Sequence, residues 1–326
     1  MDPTRIRTAL RAAWDVRAPL HDRPDLTAYR LLDGRGDATP GIYLDRYGPA
    51  AVLSVYDDAS LSEVALSAAA QLILEVLEPR GLAAVYVKRF AKDRSRLGGR
   101  PPAEARAAVP RAGHSQPEAL VVREYASTFE VRLYDGFSTG LFLDHREHRR
   151  ALPRLAPRRA LNLFAYTCGF AVPLVNAGAH VTNVDVSGRY LTWGKRNLAH
   201  NGLSLEATRF HCMDALDYLK FAARHAEERF DLIVLDPPTF AAGDPRRGIR
   251  PWKATRDYPR LVDAAARVLA PGGTIFAATN TRELATPGAL ARAVELGLGR
   301  RPRWRTLPPW PIDVRESGRV AAVCVS

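Results

Sequence analysis

Cysteine is scarce in this chain, with only Cys168, Cys212 and Cys324 among 326 residues. They stand far apart, without CxxC or Cys/His spacing, so the sequence predicts neither a disulfide scaffold nor a structural zinc site. His145 and His148 lack acidic or cysteine partners that would complete a metal site, and no metal is expected. No run of about 18 uncharged apolar residues occurs, so we expect no membrane-spanning helix. Because the N-terminus also lacks a signal peptide pattern, we expect a cytoplasmic protein.

Positive charge is in excess along the chain. Lys and Arg total 47 against 35 Asp and Glu, giving a formal net charge of +12 and an isoelectric point near 10.0. A polyanionic partner such as nucleic acid explains this excess, because Lys and Arg contacts to phosphates release condensed counterions. The alternative is genome composition, since a GC-rich genome produces abundant Arg and Ala without selection for binding. Charge alone leaves both explanations open.

The first part of the chain predicts a small domain preceded by an arm. Residues 28–138 suggest a mixed α/β domain, with short β-like runs between Tyr29 and Tyr56 and an apolar helical period over Leu61–Leu77. Residues 92–117, rich in Arg, Ala, Gly and Pro, predict a long mobile loop without helix or strand. Residues 1–27 predict a short basic helical arm.

From Leu161 onward, short apolar runs alternate with helical segments. Ser187 and Gly202 are suited to begin and end one of these helices. This alternation predicts parallel βαβ units in an α/β fold, with a Rossmann-like, doubly wound and mostly parallel sheet. Ligands bind beyond the carboxyl ends of the strands in such a sheet, so the residues that end each strand are candidate site residues.

Three strand ends carry residues suited to a nucleotide-like ligand. The turn Phe164–Gly169 leads into a helix whose free backbone amides suit an anionic group, although its single glycine also fits an ordinary βα turn. Asp185 can accept both hydrogen bonds of a ribose diol, or it can simply stabilise a helix N-terminus. Asp214 can receive an adenine amine while Met213 packs on the ring.

The run Phe230–Leu235 predicts a fourth strand, which ends in the DPPTF pentad, Asp236–Phe240. Two prolines directly after a buried strand leave carbonyl groups that no ladder amide can claim. Those carbonyls and the Asp236 carboxylate can accept hydrogen bonds from a substrate amine, and Phe240 can stack on a base. The alternative is a strand that merely terminates at prolines. An acid, two prolines and an aromatic together favour a functional site.

These motifs together resemble the class I S-adenosylmethionine (SAM)-dependent methyltransferases of bacterial 23S rRNA, the group that contains the large-subunit cytosine-5 and guanine-N7 enzymes. The resemblance covers residues 28–326. It implies SAM as the cofactor, a methyltransferase domain over residues 139–326 and an RNA-binding or substrate domain over residues 28–138. The segments that carry it are Ala28–Leu31, Pro40–Tyr47, Thr139–Arg146, Leu161–Phe170, Asp185 and the DPPTF pentad.

The resemblance also implies roles for individual residues. Phe164–Gly169 would hold the methionine part of SAM, Asp185 the ribose and Asp214 the adenine. Asp236 would line the reacting centre, and Asp144–Arg146 would close over cofactor and substrate. The residues expected to bind the cofactor are Asp144, Arg146, Phe164, Tyr166, Thr167, Gly169, Asp185, Val186, Met213, Asp214 and Asp236.

The chain departs from the cytosine-5 members of this group in two ways. Those members carry an N-terminal RNA-binding domain of the PUA type, for which the 27 residues before Ala28 are too few. They also carry a cysteine nucleophile in the strand that follows Gly273, where this chain reads AATNT and has Asn280. Both departures favour the guanine-N7 branch, without the PUA domain.

The missing cysteine bears on the atom that is methylated. Carbon 5 of cytosine requires prior addition of a thiolate at carbon 6, whereas guanine N7 presents an in-plane lone pair and needs only positioning. We therefore expect direct in-line transfer to a nitrogen of a flipped-out base. Guanine N7 is favoured, guanine N2 and an adenine amine stay open, and cytosine C5 is the alternative. The expected catalytic residues are Asp236, Pro237, Phe240 and Asn280.

A basic loop between Pro245 and Arg256 follows the pentad. Cations interleaved with one tryptophan suit a loop that grips phosphates and stacks an unpaired base, with a solvated basic loop as the alternative. The expected partner is RNA, 23S rRNA or an assembly intermediate of the large subunit; a homodimer is left open. Rival interpretations are a methyltransferase of this fold acting on a small molecule or protein, and a non-catalytic RNA-binding protein. The residues expected to bind RNA are Arg246, Arg247, Arg250, Trp252, Lys253 and Arg256.

Overall fold

The computed structural model describes residues 3–56, 59, 61–90, 103–225 and 229–326. The chain divides into two compact units. The N-terminal unit comprises Met1–Arg146 and Trp310–Glu316, and the C-terminal unit comprises Glu147–Pro309 and Ser317–Ser326. Among the described residues, no helix is long and apolar enough to cross a membrane.

The N-terminal unit is built on a five-stranded sheet. Strands β1 to β5 lie in chain order; β3 and β4 are parallel, and the other neighbours are antiparallel. Strands β6 and β7 form a separate antiparallel pair. The helices are α1 (Pro3–Val16), α2 (Ala18–His21) and α3 (Glu63–Leu77), and the strands are β1 (Ala28–Asp33), β2 (Ile42–Tyr47), β3 (Ala50–Tyr56), β4 (Ala84–Phe90), β5 (Ala112–Gly113), β6 (Leu120–Glu124) and β7 (Ser127–Val131).

One core joins the first helix to this sheet. Residues Ile6, Leu10 and Ala13 of α1 recur at the spacing of one helical face, and all three are buried with Leu53 of β3 and Leu66 of α3. The segment predicted as a basic arm holds α1 and α2, and it contributes apolar side chains to the core of the unit.

The segment 92–117, predicted as a loop, falls partly outside the described residues, which resume at residue 103. Its described part holds a 3-10 helix at Ala103–Arg106 and the short strand β5, which pairs with β4. Gly113 has φ +87° in β5, and a side chain there would meet the Ala83 carbonyl oxygen. A two-residue edge strand is too short to leave a period in the sequence, so the pattern gave no sign of it.

The segment Trp310–Glu316 is anchored in the N-terminal unit by a buried ion pair. The Asp313 carboxylate accepts both terminal nitrogens of Arg146, at 3.0 and 2.6 Å, and the backbone amide of Arg30 at 2.8 Å. Burial opposes the charge on Arg146, but the carboxylate outweighs it and raises the pKa of the guanidinium. Because both side chains are buried, loss of either one would leave the opposite charge of the pair in the interior.

The C-terminal unit is built on a seven-stranded sheet of order β10-β9-β8-β11-β14-β16-β15. The first five strands are parallel, whereas β16 runs antiparallel to β14 and β15. This arrangement confirms the predicted doubly wound, mostly parallel sheet. The helices are α4 (Arg146–Ala151), α5 (Ala171–Asn176), α6 (Gly188–His200), α7 (Ala215–Ala223), α8 (Ala254–Ala266) and α9 (Ala289–Leu298), and the strands are β8 (Arg159–Leu163), β9 (His180–Asp185), β10 (Thr208–Cys212), β11 (Phe230–Leu235), β12 (Phe240–Ala241), β13 (Trp252–Lys253), β14 (Leu269–Thr279), β15 (Trp304–Arg305) and β16 (Ala321–Val325).

Local signals explain where these elements begin and end. The Ser187 hydroxyl accepts the backbone N–H of Tyr190 at 3.3 Å and caps α6, as the sequence predicts. Past the end of that helix, Gly202 adopts the left-handed conformation with φ +66°. Pro173 lies in the first turn of α5, the one helical position where its missing N–H costs no bond.

Candidate active site

The carboxyl ends of β8 and β11 flank the point at which the strand order of the C-terminal unit reverses. The chain runs outward from β8 to β9 and β10 and then crosses back to β11 on the other side of β8. Such a reversal opens a crevice for ligands at the carboxyl edge of the sheet. The structure brings five of the strand-end residues expected from the sequence to this edge: Phe164, Asp185, Asp214, Asp236 and Asn280.

The turn after β8 has a strained backbone. Phe164, Tyr166 and Cys168 have positive φ angles of 56°, 49° and 61°, in a region that non-glycine residues rarely occupy. Such strain persists only where the surroundings fix it. Here Asn197 of α6 donates its side-chain amide to the Thr167 carbonyl oxygen at 2.8 Å, within the buried interior. The helix thus holds the turn in one shape.

Cys168 serves packing in this turn. Its side chain is fully buried, and burial raises the pKa of its thiol. Gly194 of α6 faces it so closely that an added Cβ would overlap the Cys168 sulfur. A buried, protonated thiol is a poor nucleophile, so Cys168 fills space in the turn as a small apolar residue would.

Asp185 ties the ends of β8 and β9 together. One carboxylate oxygen accepts the backbone N–H of Tyr166 at 2.9 Å, and the other accepts that of Ser187 at 2.8 Å. Burial raises the pKa of Asp185, while these two hydrogen bonds act to lower it. Each oxygen can accept a further bond. The carboxylate is therefore held in a fixed orientation with acceptor capacity for two hydroxyl groups.

Asp214 is the N-cap of α7. Its Oδ1 accepts the backbone N–H groups of Leu216 and Asp217 at 2.8 and 3.2 Å. Met213, before it, is half-buried and packs against the apolar core of the unit. The capping bonds use one carboxylate oxygen, so adenine binding by Asp214 and Met213 stays a prediction.

Two buried aromatic residues support the DPPTF pentad. The Tyr258 hydroxyl of α8 lies 2.8 Å from the Ala278 carbonyl oxygen and 3.3 Å from that of Leu235, joining the ends of β14 and β11. The Trp252 indole donates to the Pro238 carbonyl oxygen at 2.7 Å. One of the carbonyls expected to be open for a substrate is therefore already engaged.

A chain of hydroxyl groups orients Asn280. The Thr281 hydroxyl donates to the Thr239 hydroxyl oxygen at 3.2 Å, and the Thr239 hydroxyl donates to Asn280 Oδ1 at 2.9 Å. Because the Asn280 oxygen takes the bond from the pentad, its amide N–H groups point away from Thr239. Asn280 is exposed, so this edge presents a fixed hydrogen-bond donor.

The remaining pentad residues differ in exposure. Asp236 is half-buried and Pro237 is buried, whereas the Phe240 ring is 65% exposed. Burial, and then the nearby negative charge of Asp236, raise the pKa of Tyr258 far above its ordinary value. The edge thus combines a carboxylate, an amide donor and an open aromatic ring.

Trp252 requires a correction. The sequence predicts a ring that stacks on an unpaired base, but Trp252 is only 8% exposed and its ring packs against Phe164 at 5.5 Å between centroids. An indole N–H often requires a partner when buried, and the Pro238 carbonyl supplies it. Trp252 therefore supports the pentad. The alternation of cations and tryptophan predicted an exposed ring, which is wrong because Trp252 lies in the short strand β13 and its ring is buried.

The five cations predicted to bind RNA are exposed, although Arg256 lies in the first turn of α8 and not in a loop. Three of them contact residues of the same unit, so their charge also stabilises the loop. The partners are Asp217 for Arg250 at 3.8 Å, Asp257 for Arg256 at 2.8 Å and the Val186 carbonyl oxygen for Arg247 at 2.6 Å. The other two cations are Arg246 and Lys253.

Asp144 and Arg146, which the resemblance places over the cofactor, belong to the N-terminal unit. Arg146 is 1% exposed and both of its terminal nitrogens bind Asp313. A guanidinium engaged in this way has a structural role. The prediction that its terminal nitrogens contact the cofactor is therefore wrong. Asp144 has a buried Oδ1 with no hydrogen-bond partner among the described residues.

Sequence reasoning missed three residues that shape the site. Tyr258, Asn197 and Gly194 act through hydrogen bonds or close packing with strand-end residues far away in the chain. A polar side chain on the buried face of a helix is the signal that could have identified Asn197.

Comparisons with known proteins agree with this geometry. Residues 112–294 match the model of a family described as S-adenosylmethionine-dependent methyltransferase. The Bacillus subtilis protein YwbD, provisionally named a ribosomal RNA large subunit methyltransferase, is 31% identical over 293 residues, which are 86% of this chain and 68% of YwbD.

Two further similar proteins are also named as methyltransferases. Ribosomal RNA large subunit methyltransferase K/L of Pseudoalteromonas translucida is 34% identical over 267 residues, covering 79% of this chain but only 35% of that protein. The crystal structure of SMU.776, provisionally named a methyltransferase and complexed with S-adenosylhomocysteine (SAH), superposes with a TM-score of 0.84 at 25% identity, covering 100% of this chain and 82% of that one. The chain thus spans about a third of the K/L relative, and the activities of that longer protein do not transfer as a whole.

Proposed function

This chain belongs to the S-adenosylmethionine-dependent methyltransferase family, and on that premise we propose that it methylates a nucleobase nitrogen of large-subunit ribosomal RNA, with guanine N7 as the favoured atom. The enzyme class and the SAM cofactor follow from family membership. The observation that carries the choice of atom is the pairing of the DPPTF pentad with Asn280, where a carbon-methylating enzyme needs a cysteine.

The residues at the carboxyl edge suit SAM. Asp185 offers two oriented acceptors for the ribose hydroxyls, and the side chain of Val186 after it is partly exposed for an apolar contact with adenine. The strained turn Phe164–Gly169 precedes α5 and is assigned to the methionine part, with Asp214 assigned to the adenine amine. The assigned residues offer carboxylates to the hydroxyl and amine groups of SAM and an apolar side chain to its adenine ring.

None of the three cysteines of the chain is placed to act as a nucleophile. Cys168 is buried under the turn, and Cys324 is buried in β16, where burial raises the pKa of its thiol to about 11. Cys212 ends β10, two strands away from β8 and three from β11. Methylation of cytosine C5 requires a thiolate at the target base, so a nitrogen acceptor is favoured.

Asp236 and Asn280 suit the change of charge that accompanies methyl transfer to guanine N7. When bound, SAM supplies a methyl group that leaves its sulfonium without the bonding electron pair, so the acceptor needs only a lone pair. Guanine N7 has such a lone pair and loses no proton, and the base becomes positively charged. The Asp236 carboxylate would stabilise that charge, while the Asn280 amide would donate to guanine O6 and hold N7 in line.

Four features support RNA as the substrate. The relatives that share at least 31% identity are named for ribosomal RNA of the large subunit, and the chain carries a net charge of +12. Phe240, at 65% exposure, offers a ring face on which an extruded base can stack. Lys253, which pairs with Phe240 between β12 and β13, adds an exposed cation next to it, and Arg246 adds a second exposed cation further along the chain.

The decisive experiment is nucleoside mass spectrometry of ribosomal RNA incubated with the purified protein and isotope-labelled SAM. We expect labelled N7-methylguanosine with the wild type and with a triple Cys→Ala variant at positions 168, 212 and 324, and none with Asp236→Ala. Labelled C5-methylcytidine would overturn the choice of atom. Absence of label from both naked RNA and ribosomal particles, in a protein that binds SAH, would overturn the RNA substrate.

A further inference from the structure

A hairpin leaves the catalytic strand end and crosses the carboxyl edge of the sheet. Phe240–Ala241 (β12) pairs with Trp252–Lys253 (β13) to form its stem, and the 3-10 helix Pro245–Arg247 forms its tip. We call residues 240–253 the edge hairpin. Its stem begins five residues past the end of β11, whereas its tip contacts the ends of β9 and β10.

The tip of the edge hairpin has a defined shape. Asp244 and Ile249 exchange two backbone hydrogen bonds of 2.9 Å, and the Asp244 side chain caps the tip by accepting the Arg246 N–H at 3.1 Å. At Gly243, where φ is +77°, an added Cβ would lie 2.7 Å from the Ile249 carbonyl oxygen. These contacts preorganise the tip and fix the direction in which Arg247 leaves it.

Arg247 extends from this tip to the carboxyl ends of β9 and β10. Its Nη2 donates to the Val186 carbonyl oxygen at 2.6 Å and lies 3.6 Å from the Cys212 sulfur. Val186 directly follows Asp185 at the end of β9, and Cys212 ends β10. Neighbouring strands are spaced by about 4.8 Å, so the hairpin spans roughly 10 to 14 Å from β11 to reach these two strands.

We propose that Arg247 is a latch over the adenosine half of the cofactor, a positioning residue that slows cofactor release, and that it is not primarily a contact to RNA. The hydrogen bond to Val186 places the planar guanidinium beside the assigned ribose and adenine positions, where it can stack on the adenine ring. This proposal rests on the assignment of adenosine to Asp185 and Asp214. Release of the cofactor requires the latch to open, which breaks a charge-assisted hydrogen bond.

The test is the binding and dissociation of SAH, measured without RNA by isothermal titration and stopped-flow fluorescence. Arg247→Ala is expected to raise the SAH dissociation rate roughly five- to tenfold, about the loss of one partly exposed charge-assisted bond. Arg247→Lys keeps a donor at the same place and should restore part of the wild-type rate. The matched control is Arg246→Ala, which removes an adjacent exposed cation whose side chain makes no described hydrogen bond to the edge.

Equal SAH dissociation rates for Arg247→Ala and Arg246→Ala would overturn the latch. So would an unchanged SAH rate in Arg247→Ala together with weakened RNA binding, because that result would return Arg247 to the RNA surface. Failure of the proposed RNA substrate would leave the SAH result intact, since no RNA is present in this measurement. Weakened SAH binding in Asp185→Asn, measured in the same titration, tests the adenosine placement separately.

Discussion

The backbone N–H of Tyr166 donates to Asp185 Oδ2 at 2.9 Å and joins the turn after β8 to the end of β9. The bond links a residue in a strained conformation, with φ 49°, to the carboxylate assigned to the ribose. The conformation of the turn and the orientation of the carboxylate are therefore coupled through this bond. A substitution at Asp185 should therefore disturb both the turn and the proposed cofactor site.

Asp185→Asn should weaken SAH binding by roughly ten- to a hundredfold, because an amide nitrogen in place of one oxygen faces an N–H donor and loses an acceptor. Isothermal titration measures the change. The matched control is Asp231→Asn, whose carboxylate also accepts two backbone N–H groups, from Arg158 and Arg159 at 2.9 Å, but at the opposite edge of the sheet. Equal effects of the two substitutions would contradict the site assignment.

Cofactor affinity should depend on pH through the same carboxylate. Burial raises the pKa of Asp185 above its ordinary value of 3.8, so it takes up a proton at a higher pH than an exposed aspartate. The ionised form accepts the ribose hydroxyls; SAH affinity is then constant above the raised pKa and falls as the pH drops through it. Titrations across the mildly acidic range should show this fall in the wild type and its absence in Asp185→Asn. A wild-type profile that is flat over the range in which the protein stays folded would contradict it.

Gly194→Ala should destabilise the turn that follows β8, because the added Cβ would overlap the Cys168 side chain. We expect a loss of about 1–3 kcal/mol in the free energy of unfolding, the usual cost of overpacking, together with weaker SAH binding. A second substitution, Cys168→Gly, removes the overlapping atoms and suits φ 61°. Thermal unfolding of the single and double variants should therefore show rescue, and no rescue would mean that the overlap is not the cause.

Asp313→Ala should destabilise the N-terminal unit more than removal of an exposed pair. Arg146 would keep its charge in the buried interior and lose the carboxylate that binds both of its terminal nitrogens, which costs about 3–5 kcal/mol. The control is Arg267→Ala, which breaks an exposed pair with Asp263 on α8 and should cost at most about 1 kcal/mol. Denaturant unfolding compares the two, and similar losses would show that the Arg146–Asp313 pair contributes little.

The sequence predicted those parts of the molecule that follow from local rules. Alternating apolar runs indicated the doubly wound sheet, and Ser187 indicated the start of α6 because an N-cap is a local feature. The strand-end carboxylates were found because parallel strands present their carboxyl ends at one edge. Trp252 and Arg146 could not be placed, since whether a tryptophan or an arginine is buried depends on partners such as Asp313 that lie far away in sequence.

Thr239→Val tests whether the orientation of Asn280 matters for transfer. Valine keeps the shape of threonine but removes the hydroxyl that donates to Asn280 Oδ1 at 2.9 Å, so the amide loses the bond that fixes its direction. We expect kcat to fall roughly tenfold with little change in the KM for SAM, equivalent to about 1.4 kcal/mol of transition-state stabilisation.

Thr239→Ser retains the hydroxyl and should keep most of the activity, whereas Asn280→Ala removes the donor itself and should lower kcat at least as much as Thr239→Val. Because Thr239 acts through Asn280, adding Thr239→Val to Asn280→Ala should cause little further loss. Additive losses in the double variant would show that Thr239 contributes by a separate route.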